Sequence, residues 1–142
     1  MRSCVAHCGD MNTVVELLFE DEAYRIRNAA FAVHNEIGNG FLEGIYQECL
    51  EYELEKAGIP FKSKSALGLV YKGVPLRHTY ESDLICFDKI ILELKAASTI
   101  LPVHRAQTKN YLKLTGLTLG LIINFGTFPK CQIERVVLSP EP

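Results

Sequence analysis

No apolar run in the sequence is long enough to cross a membrane, and the opening M-R-S-C-V-A-H-C-G-D lacks the apolar centre of a secretory signal. The expectation is a cytoplasmic protein with no membrane partner. Positive charge is not in excess either: 15 Lys and Arg stand against 17 Asp and Glu, a net charge of -2. That argues against a protein that coats nucleic acid through bulk charge. It leaves room for a nucleic-acid enzyme, because a carboxylate-lined metal site itself lowers the net charge. The five cysteines are odd in number and irregular in spacing, which points to reduced thiols. Cys4 and Cys8 bracket His7, yet no second ligand pair with zinc-like spacing lies nearby, so a loose tail is favoured there over a metal site. Internal repeats, low-complexity segments and dividing linkers are also lacking. With 48% hydrophobic and 23% charged residues over 142 positions, the chain reads as one globular domain, residues 13–138, between tails at 1–12 and 139–142.

What is present is concentrated in Y-E-S-D-L-I-C-F-D-K-I-I-L-E-L-K, Tyr80 to Lys95. It reads as two apolar strands around a short polar turn, with Asp83, Glu93 and Lys95 inside the strands. A charge buried in a strand costs free energy unless something compensates it. Glu93 and Lys95 share a face, since residues two apart in a strand point the same way. Asp83 joins them if it lies opposite Glu93 or Lys95; pairing it with Glu93 puts Cys86 opposite Ile90 and leaves Phe87, Asp88 and Lys89 as the loop. A two-residue Asp88-Lys89 turn would shift the register by one and send the carboxylate to the other face. The site thus requires an odd loop or a bulge.

Upstream, Thr13 with Glu16 is a capping-box signature ahead of a long helical pattern, and Ile26, Ala29, Ala30, Val33 and Ile37 recur at helical spacing. His34, near the end of that helix, is read as a helix-terminal or core histidine rather than a ligand. G-N-G at 38–40 stops the helix. A second helix is expected from about Phe41 to Ala57, with Tyr46, Leu50, Leu54 and Ala57 as its stripe and Gly58 and Pro60 at its end. Glu43 falls on that stripe; with Gly40 as N-cap it sits at the third helical position, where capping explains it as well as a site role does.

Phe61 to Tyr71 is strand-like, and Lys72-Gly73 turns it into a strand beginning near Leu76. After the hairpin, Pro102 opens a helix over Val103–Leu114, closed by Gly116. Val103, Gln107, Tyr111 and Leu114 lie along one side of it, so Gln107 is expected as an inward amide in need of partners. L-T-L-G-L-I-I-N-F, Leu117 to Phe125, suits a strand covered on both faces, and Cys131–Leu138 a final, more exposed one. The sum is an α/β or α+β arrangement, a mixed sheet flanked by helices.

Carboxylates on adjacent strands can hold Mg²⁺, which takes oxygen ligands and keeps several waters. On spacing alone, a surface ion pair is the favoured explanation of Asp83, Glu93 and Lys95. Context favours the site: the triplet follows a helix with an inward Glu and precedes one with an inward Gln.

From about Ala30 to Phe125 the chain resembles the GxxExxY family, a branch of the PD-(D/E)XK nuclease superfamily. The resemblance lies in V-H-N-E-I-G-N-G-F-L-E-G-I-Y, with Gly40, Glu43 and Tyr46, then Y-K-G-V-P-L, S-D-L-I, I-L-E-L-K-A and P-V-H-R-A-Q-T-K-N-Y-L. It implies a restriction-endonuclease-like αβββαβ core. Asp83, Glu93 and the Leu94 carbonyl would be ligands for Mg²⁺, with Mn²⁺ as an alternative. Lys95 would be the catalytic lysine, with Glu43 and Gln107 assisting. Tyr46, Arg105, Lys109, Tyr111 and Lys113 are expected to contact substrate. Ser82 replaces the nominal proline, Asn39 stands where relatives often have proline, and the residues before Met11 match nothing, which makes Met11 a candidate start.

The implied function is metal-dependent hydrolysis of phosphodiester bonds, in DNA more than RNA. The alternatives are a non-catalytic nucleic-acid- or protein-binding module that keeps the fold, and a phosphoesterase for a small nucleotide. Cutting both strands calls for two sites, which a homodimer supplies.

Overall fold

The computed structural model describes residues 19–138. Thr13, Glu16, the Cys4, His7 and Cys8 group and the terminal S-P-E-P lie outside the described residues. Helix α1 runs Glu20–Ile37, with Glu20, Asp21 and Glu22 in its first turn, where the helix dipole favours negative charge. Its inward stripe is the expected one: Ile26, Ala29, Ala30 and Val33 are buried. Gly38, at φ 70°, ends it by donating its amide to the His34 carbonyl. His34 is buried, with Nε2 2.9 Å from the Thr127 carbonyl, the structural role expected for it.

Helix α2 spans Glu43–Lys56 with Leu42 as N-cap. The expected start at Phe41 is therefore corrected, and Glu43 is the first helical residue rather than the third. Tyr46, Leu50 and Leu54 are fully buried, while Ala57 is exposed just past the helix. Arg25 of α1 donates to the Ala57 carbonyl at 2.8 Å and ties the two helices together.

Strand β1 (Phe61–Tyr71) turns through Lys72 and Gly73, at φ 50° and 80°, into β2 (Val74–Cys86). Two successive left-handed residues are what a two-residue hairpin demands; β2 begins at Val74, two residues before the expected Leu76. Strand β3 (Ile90–Lys95) follows, then α3 (Pro102–Thr115), closed by Gly116 at φ 79°, then β4 (Leu119–Asn124) and β5 (Gln132–Val137). The sheet order is β1-β2-β3-β4-β5, with β3 and β4 parallel and every other pair antiparallel. The parallel pair needs a crossover, and α3 supplies it.

Two apolar layers follow from strand alternation. Leu92 and Leu94 of β3 pack with α1 and α2, while Ile91 packs with Leu112 of α3 on the opposite face. All of β4 is buried, as a strand covered on both faces must be. At Gly120 a Cβ would come within 2.8 Å of Thr108 Cγ2, so the missing side chain lets α3 approach β4. No helix among the described residues is long and apolar enough to cross a membrane.

Candidate active site

The β2–β3 ladder pairs Cys86 with Ile90, Ile85 with Ile91 and Leu84 with Leu92, leaving Phe87, Asp88 and Lys89 as the loop. This is the odd loop that the site requires. Phe87 and Asp88 take left-handed conformations at φ 58° and 56°. Asp tolerates that region. Phe87 is held there by its amide on the Pro60 carbonyl at 2.9 Å and by packing against the core. Lys89 closes the loop on the Cys86 carbonyl and pairs with Glu22 at 2.9 Å.

Where the ladder stops, Asp83 Oδ2 accepts the Leu94 amide at 2.8 Å. The N–H and C=O of one strand residue point to the same side, so the Leu94 carbonyl also faces β2 beyond the last paired residue. Glu93 shares its face with Ile91, towards α3, and is only 8% exposed. Its Oε2 is buried without a hydrogen-bond partner among the described residues. Burial pushes the Glu93 carboxyl up to about 7; Lys95 works against that rise and Glu43 adds to it. Lys95 is half-buried, and its carbonyl accepts the Phe125 amide at 2.8 Å. Tyr111 of α3 lies at the rim: its phenol is pushed up by burial, then by the charges of Glu93 and Asp83. Its ring stacks on Tyr80 of β2, with centroids 3.3 Å apart and planes at 19°.

A buried, unpartnered carboxylate oxygen on Glu93, next in sequence to the Leu94 amide that the Asp83 carboxylate accepts, suits a hard divalent cation, which prefers oxygen donors and keeps several waters. Among the described residues no group of three or more His, Cys, Asp and Glu gathers to form a cage from side chains alone. Waters and the Leu94 carbonyl would have to complete the shell.

The other expected residues divide. Glu43 is exposed at the start of α2, yet near enough for its charge to raise the Glu93 carboxyl. Gln107 is exposed, because the buried side of α3 is Thr108 and Leu112; Val103 and Leu114, at 53% and 46%, are exposed with it. The inward-amide expectation is therefore corrected. Tyr46 is corrected as well. It is 0% exposed, its hydroxyl donates to the Gly38 carbonyl at 2.5 Å and accepts the Phe41 amide at 3.2 Å, and its ring stacks on Phe125, so it presents nothing to a substrate. Arg105 is taken up by Glu134 of β5, with Nε at 2.6 and 2.8 Å from the two carboxylate oxygens. Arg105 and Lys109 line a cleft with Arg135, Val136 and Val137, towards the β5 edge. Lys113 is exposed in the last turn of α3.

Two residues of the site carry no clear mark in the sequence. Gln47 is buried, and its Nε2 donates to the Asp83 carbonyl at 2.8 Å and to Glu51 Oε2 at 2.9 Å. The buried amide bonded to Asp83 is thus Gln47 of α2, not Gln107 of α3. Its one signal is its place beside Tyr46, one turn before Glu51. Asn124, the polar residue in the last apolar run, is 0% exposed. Its Oδ1 accepts the amides of Ala97 and Gly126, and its Nδ2 donates to the Ala97 carbonyl at 2.9 Å, which fixes the chain where it leaves Lys95.

The crystal structure of SSO0001 has a similar fold: TM-score 0.55, 17% sequence identity, with 88% of this chain and 63% of that one covered. This chain therefore accounts for less than two thirds of that protein's length. No curated protein matches significantly. A family model of the PD-(D/E)XK nuclease superfamily matches residues 20–136, which include Asp83, Glu93 and Lys95 and every strand but the last residue of β5. By that match, extending over most of the described fold, the chain belongs to the PD-(D/E)XK nuclease superfamily.

Proposed function

We propose that the chain is a metal-dependent nuclease that hydrolyses phosphodiester bonds, with DNA as the favoured substrate, and that it falls in the GxxExxY branch. The observation that carries this reading is the end of the β2–β3 ladder, where Asp83 is fixed on the Leu94 amide and Glu93 holds a buried, unpartnered oxygen. A protein with no use for cations would gain stability by replacing that oxygen with an apolar group.

In this reading Asp83, Glu93 and the Leu94 carbonyl hold Mg²⁺ or Mn²⁺, which when bound polarises the phosphodiester and lowers the pKa of a coordinated water. The Lys95 ammonium lies on the same face as Glu93 and neutralises charge that develops on the phosphoryl oxygens. Gln47 positions Asp83 through its backbone carbonyl. Tyr111, Lys109 and Lys113, all on α3, meet the substrate, as does Gln107, which its exposure makes available. Glu43 orients water near Glu93.

The test is cleavage of labelled single-stranded, duplex, flap and four-way-junction DNA and matched RNA with Mg²⁺ or Mn²⁺, comparing wild type with Asp83→Ala and Lys95→Ala. Metal-dependent cutting that both substitutions abolish is the expected result. Binding without cutting in all three proteins would favour the non-catalytic module instead.

A further inference from the structure

We propose that the outer part of the β1–β2 hairpin is an arm that lies in the major groove of duplex DNA; the proposal rests on the nuclease reading and names the form of its substrate. Strand β2 has 13 residues but pairs with β3 only over Leu84–Cys86, while its ladder with β1 continues to Tyr71↔Val74. Eight residue steps from Ser63 to Tyr71, at about 3.3 Å each, make a two-stranded ribbon roughly 26 Å long beyond the shared sheet. From Val70 to Thr79 every residue is exposed.

Charge selects the partner. The ribbon from Phe61 to Ser82 carries Lys62, Lys64, Lys72 and Arg77 against Glu81 alone, in a chain whose net charge is -2. All four cations are exposed. Lys62 pairs with Asp88, whereas Lys64, Lys72 and Arg77 pair with no carboxylate among the described residues. By contrast the body of α2 carries Glu48, Glu53 and Glu55 against Lys56, a surface that repels phosphate, while its Glu51 accepts the Ser63 hydroxyl at 2.8 Å at the foot of the arm.

The tip also exposes Val70, Tyr71, Val74 and Leu76, at 57%, 61%, 59% and 43%. A second copy of the chain could cover apolar residues, but the free edge of β1 is guarded against strand pairing. Lys62 and Lys64 stand on it, Lys64 is at φ 51°, and the register shifts between Gly68 and Val70. The major groove of B-DNA, about 12 Å wide, admits a two-stranded ribbon, and its thymine methyl groups accept apolar contacts. The deep, narrow major groove of A-form RNA does not. At the root of the arm, Tyr80 stacks on Tyr111 three residues before Asp83, so the ribbon is held in a set direction relative to the carboxylates.

The test is binding rather than cleavage, so that failure of the arm and failure of the nuclease reading are separable. Full-length Asp83→Asn protein, in EDTA, is titrated into fluorescein-labelled 20-base-pair DNA and RNA duplexes over a range of salt. In that background Lys64→Ala/Lys72→Ala/Arg77→Ala is expected to weaken binding to the DNA duplex about 30-fold. The salt slope should drop by roughly two to three, at about 0.9 for each phosphate no longer neutralised. RNA-duplex binding should change less than about threefold. The single substitution Lys72→Glu gives a second reading at the tip. DNA affinity and salt slope unchanged in both variants would overturn the proposal. So would sedimentation showing that Tyr71→Ser/Leu76→Ser converts a dimer to monomer while DNA affinity stays the same.

Discussion

The Asp83 carboxylate accepts the Leu94 amide at 2.8 Å, so a side chain takes the place a backbone partner would fill two residues beyond Leu84↔Leu92. One substitution pair separates this structural duty from cation binding. Asp83→Asn keeps an acceptor of the same shape, and its stability is expected to stay within about 1 kcal/mol of wild type while cleavage falls at least about 100-fold. Asp83→Ala leaves the Leu94 amide without its partner and costs about 1–3 kcal/mol as well. Urea denaturation and single-turnover cleavage, run on the same samples, read the two effects. Full activity in Asp83→Asn would remove Asp83 from the reaction.

Glu93 makes stability depend on pH in an unusual direction. Its folded-state value, up to about 7, lies above the ordinary 4.5, so between these values the folded chain binds more protons than the unfolded one. The contribution is fully present below about pH 4.5 and is lost as pH rises through 7. In EDTA, Glu93→Gln is expected to stabilise the protein by about 3 kcal/mol at pH 8 and hardly at all at pH 4. Adding Mg²⁺ at pH 8 should stabilise wild type and leave the variant unmoved. Urea midpoints across pH check both; a difference that does not change with pH would show that Glu93 titrates alike in the folded and unfolded states.

Gln47 and Gln107 are opposite cases of one residue type. Gln47 is buried on the Asp83 carbonyl, so Gln47→Ala is expected to cost about 1–3 kcal/mol and to lower kcat at least about tenfold, with little change in KM, because Asp83 loses its brace. Gln107 is exposed, and Gln107→Ala should shift stability by less than about 0.5 kcal/mol. Any effect there should fall on KM. Kinetics that reverse this pattern would return Gln107 to the site and release Gln47 from it.

The hairpin was legible because strand alternation is rigid: once Asp83 and Glu93 must face each other, only a three-residue loop places Cys86 on Ile90, and that is the register found. The stripe of α1 and the wholly buried β4 were legible for the same reason, a fixed period in the side-chain pattern. Helix α3 was not. Val103, Gln107, Tyr111 and Leu114 and the truly buried Thr108 and Leu112 are neighbouring stripes on one cylinder, and the small Thr108 wins because Gly120 lets the helix settle there. Gln47 and Asn124 bond to backbone atoms at separations of 36 and 27 residues, contacts that no local pattern encodes.

Tyr46 shows how a motif residue can serve the fold. Its hydroxyl joins the Gly38 carbonyl to the Phe41 amide, spanning the turn between α1 and α2, while its ring lies flat on Phe125 at 4.5 Å and 3°. That turn leads into Glu43, whose charge raises the Glu93 carboxyl, so the expected effect of Tyr46 on the candidate site runs through the chain rather than through substrate. Tyr46→Phe should cost about 1–3 kcal/mol, from two backbone groups left without their partner, and Tyr46→Ala about 3–5 kcal/mol from the cavity. DNA affinity in EDTA, measured well below the unfolding transition, should be the same in wild type and Tyr46→Phe. A weaker complex at unchanged stability would mean that the ring reaches substrate in a state other than this one, and that the buried Tyr46 is a closed form of the site.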